Sequence, residues 1–425
     1  MPGFGRGVLR VLRVSRGLLV ASRAKPIIWA MNRNLWLLVI CQGLFLTNNV
    51  TFIAINGLVG LNLAPFGWMA TLPIMGYVVG GALSTMLVAQ TQTRYGRRTS
   101  FQLGLAVAVF SALACYYAAY SKNFWLLVAA TLVAGYYSAN AQLYRFAAAE
   151  LAAVSFKEKA ISYVMAGGLI GAVLGPNLAS RTRSLTDVPF AGAYLALAVV
   201  ALLAMALMAF IEFPVAKTPS GADHANTQST GRPLFEIMRQ PVFIIAASAG
   251  ALGYGVMNML MSATPIAMQL CGLPFSSVAW VLEWHVIGMF APGFFTGHLI
   301  KRFGALPIMA IGLGLNALCV AIALSGIAFE QFLAALFLLG LGWNFLFTGA
   351  TTLALTAYQP EEKDKAQGAL NFCVFAVLAL SSFASGVLVT TQGWALLNWG
   401  ALVPMAIVAG MLGWLAKRTR QLQPA

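Results

Sequence analysis

The chain has 425 residues, of which 60% are hydrophobic and 9% are charged, and its formal net charge is +15 at pH 7. Soluble domains carry about 25% charged residues, so this composition excludes a water-soluble globular protein. The basic residues lie in short segments between apolar runs, where they indicate membrane orientation and imply no nucleic-acid partner. The five cysteines are scattered and form no CxxC motif, so they predict neither disulfides nor a cysteine metal site.

Residues 1–34 form a basic extension that we expect in the cytoplasm. Four arginines recur there at helical spacing among Val and Leu: Arg6, Arg10, Arg13 and Arg16. This pattern is typical of an amphipathic helix that lies on the membrane surface. A disordered extension, an Arg-rich transit peptide and a true start at Met31 remain open alternatives.

Polar breaks divide the rest of the chain into twelve apolar runs. Runs of about 20 residues cross a hydrocarbon core of about 30 Å as helices, whereas barrel strands would alternate over about 10 residues. The sequence therefore predicts an all-α membrane protein with twelve transmembrane helices, called spans 1 to 12 below. Their predicted limits are 35–57, 66–90, 101–121, 123–146, 160–182, 189–213, 242–264, 276–299, 305–327, 330–356, 368–390 and 394–416.

The positive charges orient these spans. With both termini in the cytoplasm, all but three of the 26 Lys and Arg residues lie inside, the exceptions being Lys122, Arg181 and Arg183. The polar stretch 214–241, which contains His224, is predicted to be a cytoplasmic linker. It separates a six-helix half at 35–213 from a second half at 242–417, and a cytoplasmic tail follows at 418–425.

Two loops repeat each other in sequence. The loop after span 2 contains Arg94, Gly96, Arg97 and Arg98, and the loop after span 8 contains Arg302 and Gly304, at a constant offset of 208 residues. Lys157-Glu-Lys-Ala and Lys363-Asp-Lys-Ala repeat at an offset of 206. Two repeats at nearly one spacing predict duplicated halves.

These loops, the twelve spans and the central linker resemble the major facilitator superfamily, whose loop between helices 2 and 3 carries a Gly-x-x-x-Asp-Arg-x-Gly-Arg-Arg/Lys pattern. The resemblance covers residues 32–420 and implies a transporter whose loop motif controls its conformation. Ala89 and Thr93 replace the first Gly and the Asp of the pattern. Gly171 to Pro176 in span 5 also resemble the glycine-proline motif of antiporters, although close helix packing is the preferred interpretation.

Met257 and Met261 in span 7, and His285 and Met289 in span 8, are each four residues apart, so each pair shares a helical face. Counting from the outer loop places the two pairs at similar depths. Thioether and imidazole are soft ligands that suit Cu(I) and disfavour Mg and Ca. Most methionines in membrane helices merely fill gaps, but His285 is the one histidine deep in a span, and such residues are usually functional.

An MxxxM motif in helix 7 followed by HxxxM in helix 8 resembles the CcoA-type copper importers. This resemblance implies alternating-access import of copper across the bacterial inner membrane for haem-copper cytochrome oxidase assembly, with Met257, Met261, His285 and Met289 as metal ligands. Copper is then the transported substrate and not a cofactor. The implied partners are the lipid bilayer and a cytoplasmic copper chaperone, and the superfamily is mostly monomeric.

Other residues suggest further roles. Glu283 is the one acidic residue well inside a span, and we expect it to couple protons or attract ions, or else to be interfacial. Cys41 and Cys373 are soft-ligand candidates that packing also explains. Arg145 is expected to cap span 4 or to pair with Glu150.

A second polar set is expected to line the cavity of the fold, where it could bind an organic solute: Asn48, Asn49, Asn140, Gln142, Tyr144, Asn344 and Thr348. The alternatives to copper import are therefore a riboflavin-like uptake carrier, a proton-coupled multidrug antiporter and a copper receptor that does not transport. Carriers that resemble this one but lack the Met and His motifs look like flavin transporters, which makes riboflavin one of these alternatives. No HExxH, phosphate loop or nucleophile elbow indicates an enzyme.

Overall fold

The computed structural model describes residues 32–153, 156–213 and 231–421. The predicted surface helix near the N-terminus, His224 and most of the linker lie outside these residues. Within them the chain is almost entirely helical. The helices that form the twelve spans are Arg33–Leu63, Leu72–Tyr120 (spans 2 and 3), Phe124–Ala141 with Tyr144–Leu151 (span 4), Lys157–Thr182, Ala191–Ala209, Pro241–Leu270, Phe275–Phe290 with Gly293–Phe303 (span 8), Ala305–Ser325, Phe329–Ala354, Lys363–Thr391 and Gly393–Gln421. Short helices at Gly67–Met69, Leu234–Met238 and Pro360–Glu362 lie between spans.

The twelve predicted crossings are confirmed once two breaks are taken into account. Ten continuous segments are long and apolar enough to cross a membrane, and the two helices of span 8, bent by 41° at residues 291–292, together form an eleventh crossing. The helix Leu72–Tyr120 has 49 residues, hence a length of about 74 Å, which is more than twice the hydrocarbon core. It breaks at Gly96 into two spans.

The two repeated loops have the same backbone conformation. Gly96 has φ 80° and ψ 166°, and Gly304 has φ 88° and ψ 161°. Side chains with a Cβ rarely adopt this region, so each loop uses glycine to turn one span into the next. The sequence repeat is therefore also a structural repeat.

One end of the bundle carries Asn32 and Glu212, at the two ends of the first half, and we call it the linker side. There the Asn32 side chain donates to the carbonyl of Leu151 (2.8 Å), and Asn34 donates to the carbonyl of Glu212 (3.1 Å). The opposite end is called the far side. The charge distribution predicts that the linker side is cytoplasmic.

The end of the linker is bound to the second half. Arg232 donates through Nε to Glu362 Oε1 (2.9 Å) and through a guanidinium NH2 to Oε2 (2.8 Å). The backbone N–H of Arg232 also donates to Glu362 Oε1 (2.8 Å), and the backbone N–H of Gln359 donates to Glu362 Oε2 (2.9 Å). The carboxylate is buried, and these four bonds satisfy both of its oxygens.

Spans 1 and 5 pack with almost no space between their backbones. A Cβ at Gly167 would lie 2.4 Å from the carbonyl oxygen of Val39, and one at Gly171 would lie 2.5 Å from the backbone nitrogen of Thr47. Thr51 donates to the carbonyl of Gly175 across the same interface (2.7 Å). The glycines of the span 5 motif therefore serve close helix packing.

The two halves contact each other on the far side. Thr71 Oγ1 donates to the carbonyl of Ser382 (2.6 Å), and Asn177 Nδ2 donates to Glu283 Oε2 (2.8 Å). Ring contacts extend this layer: Phe190 with Phe275 (5.0 Å), Arg183 over both of these rings (5.5 and 5.9 Å), and Trp68 with Phe383 (6.0 Å). We call these residues the far-side gate, and in this conformation it is closed.

Candidate substrate cavity

A cavity of about 140 Å³ lies between the two halves. Spans 1, 2 and 4 form one wall, and spans 7, 8 and 11 form the other. The described residues that line it include no charged side chain. Its polar, aromatic and methionine lining consists of Phe45, Asn49, Tyr77, Ser138, Gln142, Tyr254, Met257, Asn258, Met261, Met289, Phe290 and Phe375.

Three amide side chains from the two walls give the cavity hydrogen-bonding capacity. Asn49 Nδ2 donates to the hydroxyl of Tyr77 (2.9 Å). Asn258 is held by span 11, because its NH2 donates to the hydroxyls of Ser381 (2.9 Å) and Ser382 (2.8 Å). The amide carbonyl of Asn258 and the exposed side chain of Gln142 are therefore available to hydrogen-bond a solute.

Aromatic rings fix the shape of the cavity. Tyr254 lies edge-on to Trp343 (5.0 Å) and to Phe347 (5.2 Å), which are themselves stacked at 5.3 Å. In the first half, the rings of Tyr77 and Phe52 pack together with their centroids 4.9 Å apart. Each cavity tyrosine is therefore held by a neighbouring ring, which is an arrangement that can receive a flat aromatic ligand.

Three of the four predicted copper ligands share this cavity. Met257, Met261 and Met289 all line it, and each is at least 90% buried. They also belong to the main hydrophobic cluster of the protein. The structure thus brings the methionines of spans 7 and 8 together, in surroundings that suit an apolar ligand surface as well as a soft metal ion.

His285, the fourth predicted ligand, lies behind the cavity wall and is fully buried. Its Nδ1 lies 2.7 Å from the carbonyl oxygen of Leu336 in span 10, and its Nε2 has no hydrogen-bond partner. Because a carbonyl only accepts, Nδ1 carries the proton and Nε2 keeps a free lone pair. Among the described residues, no three His, Cys, Asp or Glu side chains are grouped to hold a metal ion.

The predicted cavity-lining residues divide into two groups. Asn49 and Gln142 line the cavity. The other five are a correction, because none of them lines it. Three bond between helices: Asn48 donates to the carbonyl of Leu197 (3.3 Å), Asn140 accepts from Ser100 (3.2 Å), and Asn344 donates to the carbonyl of Met289 (2.7 Å). Tyr144 is buried against the ring of Phe101 (4.9 Å), and the backbone carbonyl of Thr348 accepts from Thr352 in its own helix (2.9 Å). A buried amide needs partners, and the backbone and hydroxyl groups of neighbouring spans supply these three bonds, while the buried Nδ2 of Asn140 has no partner.

Glu283 and Arg145 have partners that the sequence did not reveal. Glu283 accepts from Asn177 in the far-side gate, so it links the two halves, and it forms no hydrogen bond with His285. The expected pairing of Arg145 with Glu150 is wrong, because Glu150 forms a salt bridge with Arg97. Arg145 instead lies over the ring of Phe146 (4.9 Å), and its buried Nε has no partner.

The repeated loops bond within their own halves. Arg97 also donates to Gln92 (3.0 Å), and Arg98 donates to the carbonyl of Ala209. Arg94 lies over Tyr95 (5.3 Å), and Arg302 lies over Phe303 (5.1 Å). Thr93, at the Asp position of the motif, donates to the carbonyl of Ala89 in its own helix (3.1 Å).

The two cysteine candidates lie apart from the methionines. Cys41 is buried between spans 1 and 6, with its sulfur 3.9 Å from the carbonyl oxygen of Ala204. Cys373 packs against a separate hydrophobic cluster near the linker side. Neither residue lines the cavity.

Sequence reasoning missed several residues of the cavity wall, among them Tyr77, Tyr254, Phe375 and Asn258. Asn258 had a recognisable signal, because a polar residue inside the apolar span 7 next to Met257 requires a partner or a ligand. The aromatic residues had none, since rings are common on every face of a membrane helix.

Three comparisons place the chain among known proteins. A family model described as Major Facilitator Superfamily matches residues 35–282 and 246–425. The riboflavin transporter RfnT of Brucella anthropi is 40% identical over 380 residues, which cover 89% of this chain and 94% of RfnT. The uncharacterized MFS-type transporter YddS of Bacillus subtilis is 25% identical over 366 residues, covering 83% and 84% of the two chains. The POT family transporter PepTSo shares the fold with a TM-score of 0.68 at 11% identity, covering 93% of this chain and 99% of PepTSo.

The chain therefore belongs to the Major Facilitator Superfamily, and it is a multi-pass membrane transporter. The resemblance of its Met and His motifs to copper importers remains a prediction, because RfnT, which is 40% identical over 89% of the chain, is a riboflavin transporter.

Proposed function

We propose that this protein imports an uncharged heteroaromatic solute of the riboflavin type across the bacterial inner membrane by alternating access. The observation that carries the proposal is its 40% identity to RfnT across nearly the whole of both chains. The chemistry of the cavity agrees with this substrate class. The amide side chains of the cavity can hydrogen-bond the carbonyl and imide edge of a flavin. Its aromatic rings and thioethers can pack against the flat faces of the flavin ring system.

Binding must widen the cavity. Its volume of about 140 Å³ is below the ~300–1,000 Å³ of pockets that hold drug-sized ligands. Since the walls belong to different halves, separating the halves enlarges the site. We therefore expect the solute to bind in a more open state, and the narrow cavity to be the state after release.

Uptake of radiolabelled riboflavin tests the proposal in a bacterial strain that neither synthesises nor imports riboflavin. We expect saturable uptake, and in Gln142→Leu a KM about two- to twelvefold higher, as the loss of one neutral hydrogen bond gives. Gln269→Leu is the matched control, because Gln269 is an exposed amide at the far-side end of span 7, outside the cavity. Background uptake by wild type at confirmed expression would refute the proposal.

Copper is a second candidate, and the arrangement of His285 favours it. A histidine that ligates a metal normally donates its other ring N–H to a carbonyl or carboxylate, as Nδ1 of His285 does to Leu336. Its unpartnered Nε2 is then the ligand atom, and Met289, one turn further along span 8, supplies a sulfur.

Copper uptake separates the two candidates in the same cells. If copper is carried, His285→Gln and Met257→Ile abolish accumulation of radioactive copper, whereas Met259→Ile does not, because Met259 is buried in the same span but outside the cavity. Saturable net accumulation also excludes a receptor that binds copper without transporting it. Equal, background-level copper in all strains leaves riboflavin as the substrate.

A further inference from the structure

A long apolar groove runs along the lipid-facing surface between spans 9 and 12. Its volume is about 670 Å³, well above that of the central cavity. Small, exposed residues form its floor: Ala310, Gly314, Ala317, Ala406, Ala409 and Gly413. A Cβ added at Gly314 or at Gly413 would have no atom within 4 Å, so the floor is open to whatever lies outside the protein.

The groove has the length of one lipid leaflet. On span 9 it extends from Leu306, next to the linker-side loop, to Ala317 near the middle of the span. Eleven helical residues cover about 17 Å, and half of a hydrocarbon core is about 15 Å. An acyl chain of the linker-side leaflet would therefore fill it from mouth to end.

Positive charge flanks the mouth of the groove. Lys417 and Arg418 directly follow the lining residue Ala416 on span 12, and Lys301 and Arg302 precede the start of span 9. All four side chains are exposed, and no salt bridge joins them to a carboxylate in the described part of the chain. Arg418 lies over the ring of Trp414 at 5.2 Å, a pairing typical of the level of lipid headgroups.

We propose that this groove binds one anionic phospholipid of the linker-side leaflet. Its acyl chain lies between spans 9 and 12, and its phosphate contacts the basic cluster at the ends of spans 8 and 12. Basic pockets between membrane helices have this preference because each nearby Lys or Arg favours an anionic headgroup. The site is separate from the substrate cavity and does not depend on which solute is carried.

Native mass spectrometry of the purified full chain tests the proposal, using mixed micelles that contain equal amounts of phosphatidylglycerol and phosphatidylcholine. We expect wild type to retain one phosphatidylglycerol in preference to phosphatidylcholine. Ala310→Phe should fill the groove and abolish retention of either lipid. Lys417→Gln with Arg418→Gln should keep lipid binding but reduce the preference about thirtyfold.

Matched controls separate the site from general effects. Ala106→Phe adds the same bulk to an exposed face of span 3, and Lys157→Gln with Lys159→Gln removes the same charge from the first half. Both should behave as wild type. Equal retention of the two lipids by wild type, or unchanged retention in Ala310→Phe, would overturn the proposal. A wild-type dimer that Ala310→Phe dissociates would overturn it too, because a second copy would then occupy the groove.

Discussion

At the scale of single residues, Glu362 shows how charge fixes the end of the linker. Hydrogen bonds from Arg232, and another from the backbone of Gln359, hold the pKa of Glu362 at about 2, below its ordinary value of 4.5. A carboxyl whose pKa is lower in the folded state stabilises the fold above its unfolded pKa. That stabilisation is lost as the pH falls from about 4.5 towards about 2. The contact is therefore constant throughout the physiological range.

Glu362→Gln tests this pH dependence. We expect the variant to unfold at a lower temperature than wild type at pH 7, because the neutral amide cannot replace the charged contact with Arg232. The difference between the two midpoints should shrink as the pH falls below about 4.5. Thermal unfolding in detergent across pH 3–8 measures it. A difference that does not change with pH would show that Glu362 acts by packing alone.

At the scale of elements, glycine spacing decides how closely two helices approach. Spans 1 and 5 meet backbone to backbone at Gly167 and Gly171, whereas Gly410 in span 12 has open space around the position of its Cβ. In the sequence, all three residues are simply glycines in apolar helices. Only the position of the neighbouring helix separates a required glycine from a replaceable one.

Gly171→Ala and Gly410→Ala form a matched pair. We expect Gly171→Ala to destabilise the protein by about 1–3 kcal/mol through overpacking against span 1. Gly410→Ala should be neutral or stabilise by up to about 1 kcal/mol, since alanine favours the helix. Thermal midpoints and the yield of folded protein report the difference. Equal effects of the two substitutions would contradict the close contact at Gly171.

At the scale of the whole molecule, the far-side gate holds the two halves together. Asn177 and Glu283 lie on different halves, and their hydrogen bond requires the far side to be closed. Alternating access must break it once in every cycle. If Glu283 couples protons, as expected from the sequence, riboflavin uptake should lose part of its pH dependence in Glu283→Gln. An unchanged pH profile would reject that coupling.

Asn177→Asp should open the gate by placing two like charges in contact. Repulsion of about 1–4 kcal/mol would shift the population at least about fivefold towards the open far side. Spin labels at the exposed positions Leu185→Cys and Leu270→Cys, with the five native cysteines replaced by Ala, measure the separation of the halves. Adding Glu283→Gln should restore the wild-type distance. An unchanged distance in Asn177→Asp alone would show that other contacts keep the gate closed.

The sequence by itself determined the number of spans, the repeated loops and the superfamily, because each depends on composition or on residues near one another along the chain. It also selected Met257, Met261 and Met289, since spacing along one helix fixes which side chains share a face. Rotation of one helix against another is decided only by tertiary packing. That packing directs Asn48, Asn140 and Asn344 to neighbouring spans, turns His285 towards span 10, and brings Tyr77 and Tyr254 from separate halves to one cavity.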